Sequence, residues 1–192
     1  MSNKMRKAAF TLNAGITKPY DLYNHLPYRV AVASNLLAID RDAAIKQFTE
    51  LETREIRVLL NIGSYGPINA ADIAYQSRLD PYSVNRAINC LLKLHYLDEE
   101  KKTENQRSKL VKLSDLGTDV YKKITCHLEQ RTTRLTANLT SEEQMTLLLL
   151  LEKLELQAEQ VLADTAKDIE AQGKTITRDQ KEVIRWHKRT TS

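Results

Sequence analysis

Asp80-Pro81-Tyr82-Ser83-Val84-Asn85-Arg86-Ala87-Ile88-Asn89-Cys90-Leu91-Leu92-Lys93-Leu94-His95-Tyr96 is the stretch whose reading decides the fold. Val84, Ala87, Ile88, Leu91, Leu92 and His95 recur at helical spacing and form one stripe. Asp80 is placed to accept backbone N–H groups as a cap, and Pro81 at the first helical position needs no donor. The opposite face carries Tyr82, Ser83, Asn85, Arg86, Asn89 and Lys93, with no acid after the cap. Such side chains hydrogen-bond base edges and phosphates.

The flanks of this helix agree with it. Upstream, Thr53, Ile56, Leu59, Leu60 and Gly63 predict a core-facing stripe on a helix from Thr53 to about Tyr65, which Gly66-Pro67 stops. Asn69 with Asp72 resembles a capping box and opens a short helix, Ala70–Arg78, with Ile73 and Ala74 inward. Downstream, residues 97–101 and 109–113 read as strands, and the polar run 103–108 suits a hairpin tip. Helix, short helix, capped helix and basic hairpin make a winged helix-turn-helix, an arrangement that grips duplex DNA.

The remaining chain is predominantly helical. Glycine (5) and proline (4) are scarce in the 192 residues, so few breaks interrupt the helical pattern. His25 to Glu50 carries apolar residues at spacings near three and four, with Pro27 tolerated in the first turn. Ser114 to about Leu139 reads as a long helix, and Thr140 with Glu143 is a capping box for the next. That next helix contains Leu147–Leu151, five leucines that cover nearly every face. A helix apolar all round demands cover on all sides, which points to a partner subunit. Thr177 with Gln180 caps a last, short, basic amphipathic helix, expected to be loosely attached, with Val183, Ile184 and Trp186 for packing.

Charge and cysteine usage narrow the class. The net charge of +4 is mild and does not by itself imply nucleic acid. It is unevenly spread. Residues 101–112 hold five basic residues against one acid, and residues 171–192 hold six against two. Cys90 and Cys126 stand alone in their helices, which is no disulfide framework and suits a reducing cytoplasm. Neither has an activating base nearby in sequence, so both read as inert thiols. The basic N-terminus has no apolar stretch behind it, so no signal peptide is expected. Leu147–Leu151, the longest apolar run, is too short to span a membrane.

The order of elements resembles the MarR family of winged-helix transcription regulators over roughly Leu26 to Ala166. Three places carry the likeness: Asn85-Arg86 followed by Leu91-Leu92-Lys93 and Tyr96-Leu97; the wing from Asn105 to Ser114, with Gly117 after it; and Leu139-Thr140-Ser141-Glu142-Glu143. Two positions depart from the family pattern. Asn105 stands where the family favours an Asp that braces the wing arginine, and His95 stands where it favours a glycine. Histidine accepts positive φ better than most residues.

The resemblance implies a mainly α fold with a small β-hairpin wing, a winged helix-turn-helix flanked by a helical dimerisation lobe. Residues 1–24 are then an extension, 25–50 and 115–168 the dimerisation region, 51–114 the DNA-binding domain and 169–192 a basic tail. It implies a homodimer on a pseudo-palindromic operator, acting as a repressor that responds to a small effector. His25, Tyr28 and Arg29 are the expected polar lining of the effector pocket.

The residues expected to meet DNA are Tyr82, Ser83, Asn85, Arg86, Asn89 and Lys93 on the helix, and Lys101, Lys102, Arg107 and Lys109 on the wing. Arg107 has the planar fork that suits a narrow minor groove or a phosphate. The lysines supply sequence-independent phosphate contacts. The alternative is a winged-helix protein-interaction module that no longer reads DNA, since Asp98-Glu99-Glu100 at the wing base would repel phosphate. No cofactor or metal is expected, because the four histidines are scattered and no ligand spacing occurs. Nor is an enzyme expected: the chain has no glycine-rich phosphate loop, His-Glu-x-x-His or Gly-x-Ser-x-Gly.

Overall fold

The computed structural model describes residues 11–100 and 108–191. It divides into two compact units, residues 1–50 and 51–192. In the first, α1 spans Leu26–Ile45. The turn before it is closed by Asp21, whose carboxylate accepts from the backbone N–H groups of Tyr23 at 3.0 Å and Asn24 at 3.3 Å. Leu26, Leu36, Leu37 and Ile39 of α1 are exposed.

The second unit opens with α2 (Thr53–Tyr65), α3 (Ala70–Ser77) and α4 (Pro81–Lys93), the expected helix-turn-helix. Their starts follow from local chemistry. Glu55 bends back to accept the N–H of Glu52 at 3.1 Å, Asn69 accepts from Asp72 at 2.9 Å, and Asp80 accepts from Ser83 at 2.9 Å. Ile56, Val58, Leu59 and Ile62 of α2, Ile73 and Ala74 of α3, and Val84, Ala87, Ile88 and Leu91 of α4 form the core between them. Burial of each large apolar side chain contributes about 1.5–3 kcal/mol.

His95 does not belong to that stripe. The helix ends at Lys93, and His95 lies exposed in a left-handed turn at φ 58°. Its carbonyl accepts the Ser114 hydroxyl at 2.6 Å, so the turn is tied to the far side of the wing. Two strands follow, β1 (Leu97–Glu99) and β2 (Val111–Leu113), paired antiparallel with Leu97 opposite Leu113 and Glu99 opposite Val111. β2 is two residues shorter than expected, and β1 stops at Glu99, with Lys101 outside the described residues. Ile68, just before α3, adds a rung by exchanging hydrogen bonds with Val111 at 3.1 and 3.0 Å.

After the wing, α5 runs Asp115–Leu135 and stops four residues earlier than expected. Gly117 in its first turn lies against the Tyr96 backbone, where a Cβ would collide with the Tyr96 carbonyl. The next helix, α6 (Ser141–Ala171), carries the expected box, Glu143 N–H to Thr140 Oγ1 at 3.2 Å and Thr140 N–H to Glu143 at 2.8 Å. Its Met145 and Leu147–Leu150 are all exposed in the single chain. Its buried residues, Glu159, Ala163 and Ala166, form a stripe at i, i+4 and i+7. The last helix, α7 (Arg178–Thr190), packs on α6 after a turn in which Gly173 takes φ +73°. Among the described residues no helix is long and apolar enough to cross a membrane.

The C-terminal helix corrects the expectation of a loose tail. Arg189 Nη1 reaches Asp72 Oδ1 of α3 at 2.5 Å, and its guanidinium lies 4.2 Å over the Tyr75 ring. Thr190 Oγ1 lies 2.9 Å from the Tyr75 hydroxyl and 2.9 Å from Glu159 Oε1. The single hydroxyl proton of Thr190 has two acceptors in reach, Glu159 and the Trp186 carbonyl at 3.0 Å, and with either one Tyr75 is the donor of its bond to Thr190. Several of these partners are more than a hundred residues apart in sequence, and amphipathic pattern carries no information about such distances.

Candidate nucleic-acid interface

The outer face of α4 is built from its cap upward. Pro81 and the Asp80 cap fix the first turn, and the buried stripe turns Tyr82, Asn85, Arg86, Asn89 and Lys93 to the surface. Tyr82 is 61% exposed, a large area for an aromatic ring on a helix with a packed reverse side. With Cys90, these five residues line a shallow groove of about 440 Å³. The groove holds two cationic side chains and two amides, and no carboxylate.

Not every polar group there is equally available. Ser83 is half-buried, and its side chain and backbone both bond the Asp80 carboxylate. Those bonds hold the Asp80 carboxyl below its ordinary range, with a smaller contribution from the positive charge of Arg178. Ser83 thus donates to the cap, and its hydroxyl oxygen keeps acceptor capacity for a further partner. Asn85 donates its amide to the Pro81 carbonyl at 2.8 Å, which leaves its oxygen and one N–H facing outward. Arg86, Asn89 and Lys93 point to solvent.

On the wing, Lys109 Nζ lies 2.9 Å from Glu99 and Lys112 Nζ 3.9 Å from Glu100. Two of the three wing-base acids, Glu99 and Glu100, thus stand against lysines, Lys109 just before β2 and Lys112 within it. Lys109 is 67% exposed and its pair is solvated, so the pairing is weak and exchangeable. Lys101, Lys102 and Arg107 lie outside the described residues. In the first unit, the His25 ring stands edge-on to Tyr20 at 5.0 Å, and the Arg29 guanidinium lies 4.6 Å over Tyr23. Tyr28 is 43% exposed. Among the described residues no cluster of His, Cys, Asp and Glu has the arrangement of a metal site.

Three arginines that sequence reasoning left in the tail stand beside this interface. Arg178, Arg185 and Arg189 of α7 line a second cleft, of about 620 Å³, together with residues of α3, α4 and the wing. The basic composition of the tail was visible in sequence, but its place next to α4 was not.

Residues 51–109 match the family model described as the MarR family. The chain is also similar to several solved structures. A MarR/EmrR family transcriptional regulator from Acinetobacter sp. ADP1 superposes with a TM-score of 0.68 at 20% identity, over 73% of this chain and 99% of that one. A MarR protein from Peptoclostridium difficile gives 0.64 at 20% identity, over 78% and 93%. PcaV from Streptomyces coelicolor, a transcriptional regulator in complex with its natural ligand, gives 0.61 at 15% identity, over 72% and 97%. A comparison with curated protein sequences gives no significant match. Residues 51–109 thus match the MarR family model, and the fold is similar to that of solved MarR-family transcription regulators.

Proposed function

We propose that this chain is a sequence-specific DNA-binding transcription regulator, a repressor that holds a pseudo-palindromic operator as a homodimer. The observation that carries this reading is the acid-free outer face of α4, with Arg86 and Asn89 unobstructed beside the wing. Asparagine bonds adenine edges, arginine bonds guanine edges or phosphates, and a helix in this position enters the major groove. The family match over 51–109 supports the same conclusion. Tyr82 and Lys93, at either end of the face, take sugar and phosphate contacts. On the wing Arg107 reaches the minor groove, while Lys101, Lys102 and Lys109 meet phosphates.

The homodimer rests on the exposed apolar surface of α6. Met145 and Leu147–Leu150 are between 48% and 62% exposed in the single chain, and a second copy is the occupant that repeats in every molecule. PcaV binds a natural ligand on this fold. By analogy, a small effector here shifts DNA affinity by preferring one arrangement of the dimer. His25, Tyr28 and Arg29 are the residues proposed to meet it. The rival reading, a protein-interaction module, drew on the wing-base acids. Glu99 and Glu100 each face a lysine, which removes much of that repulsion and favours DNA.

Selection from a random duplex library with the purified chain tests the function. A two-fold symmetric consensus is expected, and Arg86→Ala should lower affinity for it by roughly 5- to 150-fold, about 1–3 kcal/mol. Recovery of no consensus would end the reading.

A further inference from the structure

We propose that α7 is a third DNA-contacting element, which takes backbone phosphates beside the groove that α4 reads. The inference rests on the reading of α4 as the major-groove helix.

The cleft of about 620 Å³ carries it. One wall holds Asn69 at the start of α3, Asn85 of α4 and Lys109 of the wing; the other holds Arg178, Arg185 and Arg189 of α7. A helix-turn-helix that seats α4 in the major groove brings the start of α3 and the wing close to the flanking backbone. The arginines opposite them share that neighbourhood. Along α7, five basic residues (Arg178, Lys181, Arg185, Lys188 and Arg189) stand against Asp179 and Glu182. A polyanion is the partner with complementary charge.

The acids facing the cleft leave that balance positive. Arg185 pairs with Glu182 on its own helix at 2.6 Å and remains 71% exposed. Glu182 is 13% exposed and keeps its bond, while the guanidinium has further N–H donors to offer a phosphate. Arg189 is held by Asp72 and is the anchor. Arg178 lies near enough to Asp80 to help keep its carboxylate charged. The Arg189 and Thr190 bonds to α3 and α6 fix the helix in place, so Arg178 and Arg185 are presented to the cleft without further ordering.

The test uses the full chain and random-sequence duplex DNA, with binding followed across a range of KCl concentrations. Arg178→Ala with Arg185→Ala removes two cleft cations and no anchor. The slope of log K against log salt for the homodimer should become shallower by about 3.6, roughly 0.9 for each of two phosphates lost per subunit. The double lysine variant, Arg178→Lys with Arg185→Lys, should keep the slope. An unchanged slope in the alanine variant overturns the proposal. So does tighter binding, which would make α7 an obstruction. If Arg86→Ala abolishes specific binding while the slope is indifferent to α7, only this proposal falls. If the parent chain binds no duplex at all, the reading of α4 falls with it.

Discussion

Glu159 Oε2 lies 2.6 Å from Arg78 Nη2, across 81 positions of sequence. The pair joins the long helix α6 to the left-handed turn, φ 53° at Arg78, that separates α3 from α4. Glu159 is 6% exposed, and its other oxygen accepts from Thr190. The Arg78 guanidinium lies 4.4 Å over Tyr75 and 5.7 Å over Trp186. One buried carboxylate thus ties three helices together.

Removing that carboxylate leaves an arginine that can hydrate, since Arg78 is 43% exposed. Glu159→Ala should therefore cost about 1–3 kcal/mol, less than a fully buried pair would. Urea unfolding measures it. A loss below about 0.5 kcal/mol, the scale of a neutral surface substitution, would show that the pair contributes nothing.

Gly117→Ala sets two effects against each other. Helix propensity favours alanine by about 1 kcal/mol. The added Cβ meets the Tyr96 backbone carbonyl, which cannot rotate away, and overpacking costs about 1–3 kcal/mol. The melting temperature should fall, and a rise would contradict the close approach.

Asp80→Ala should cost about 1 kcal/mol at neutral pH through loss of the cap. The sign of the pH dependence follows from the depressed pKa of Asp80. A carboxyl held low in the folded state contributes above the ordinary carboxylate range, and that contribution disappears as pH falls through it. The stability gap between parent and variant should narrow below roughly pH 4. Urea unfolding at neutral pH and near pH 3 compares the two, and a constant gap would remove charge from the account.

His95→Gly should stabilise the fold by about 0.5–1 kcal/mol, because left-handed backbone strains residues that carry a Cβ. The bond from Ser114 goes to the backbone carbonyl and survives the change. His95→Val should destabilise it, and equal melting temperatures for the two variants would refute the argument.

Leu148 is 62% exposed in the single chain. If a second copy covers it, Leu148→Glu should convert a dimer into a monomer in sedimentation at micromolar concentration while helical content is retained. A parent chain that sediments as a monomer would remove the proposed dimer.

What the sequence made legible was local. Asp80-Pro81, Thr140 with Glu143 and Thr177 with Gln180 each specify a helix start within four residues, and all three starts lie where expected. The outward turn of Asn85, Arg86 and Asn89 followed from the apolar stripe behind them. Periodicity alone places His95 in that stripe, because it does not register that the helix stops at Lys93. Ser83 illustrates a different limit: its bonds to the Asp80 carboxylate are visible only in the hydrogen-bond geometry. The Arg78–Glu159 and Asp72–Arg189 pairs depend on how distant helices are laid together. No spacing rule reaches that far.

The rung between Ile68 and Val111 makes the wing and the start of α3 one stiff piece. Swinging the hairpin outward by bending at this joint would break two backbone bonds in a site where Ile68 and Val111 are shielded from water. β2 and the start of α3 therefore move together, and under the proposed operator-binding function a change of half-site separation is met by flexure elsewhere than at this joint.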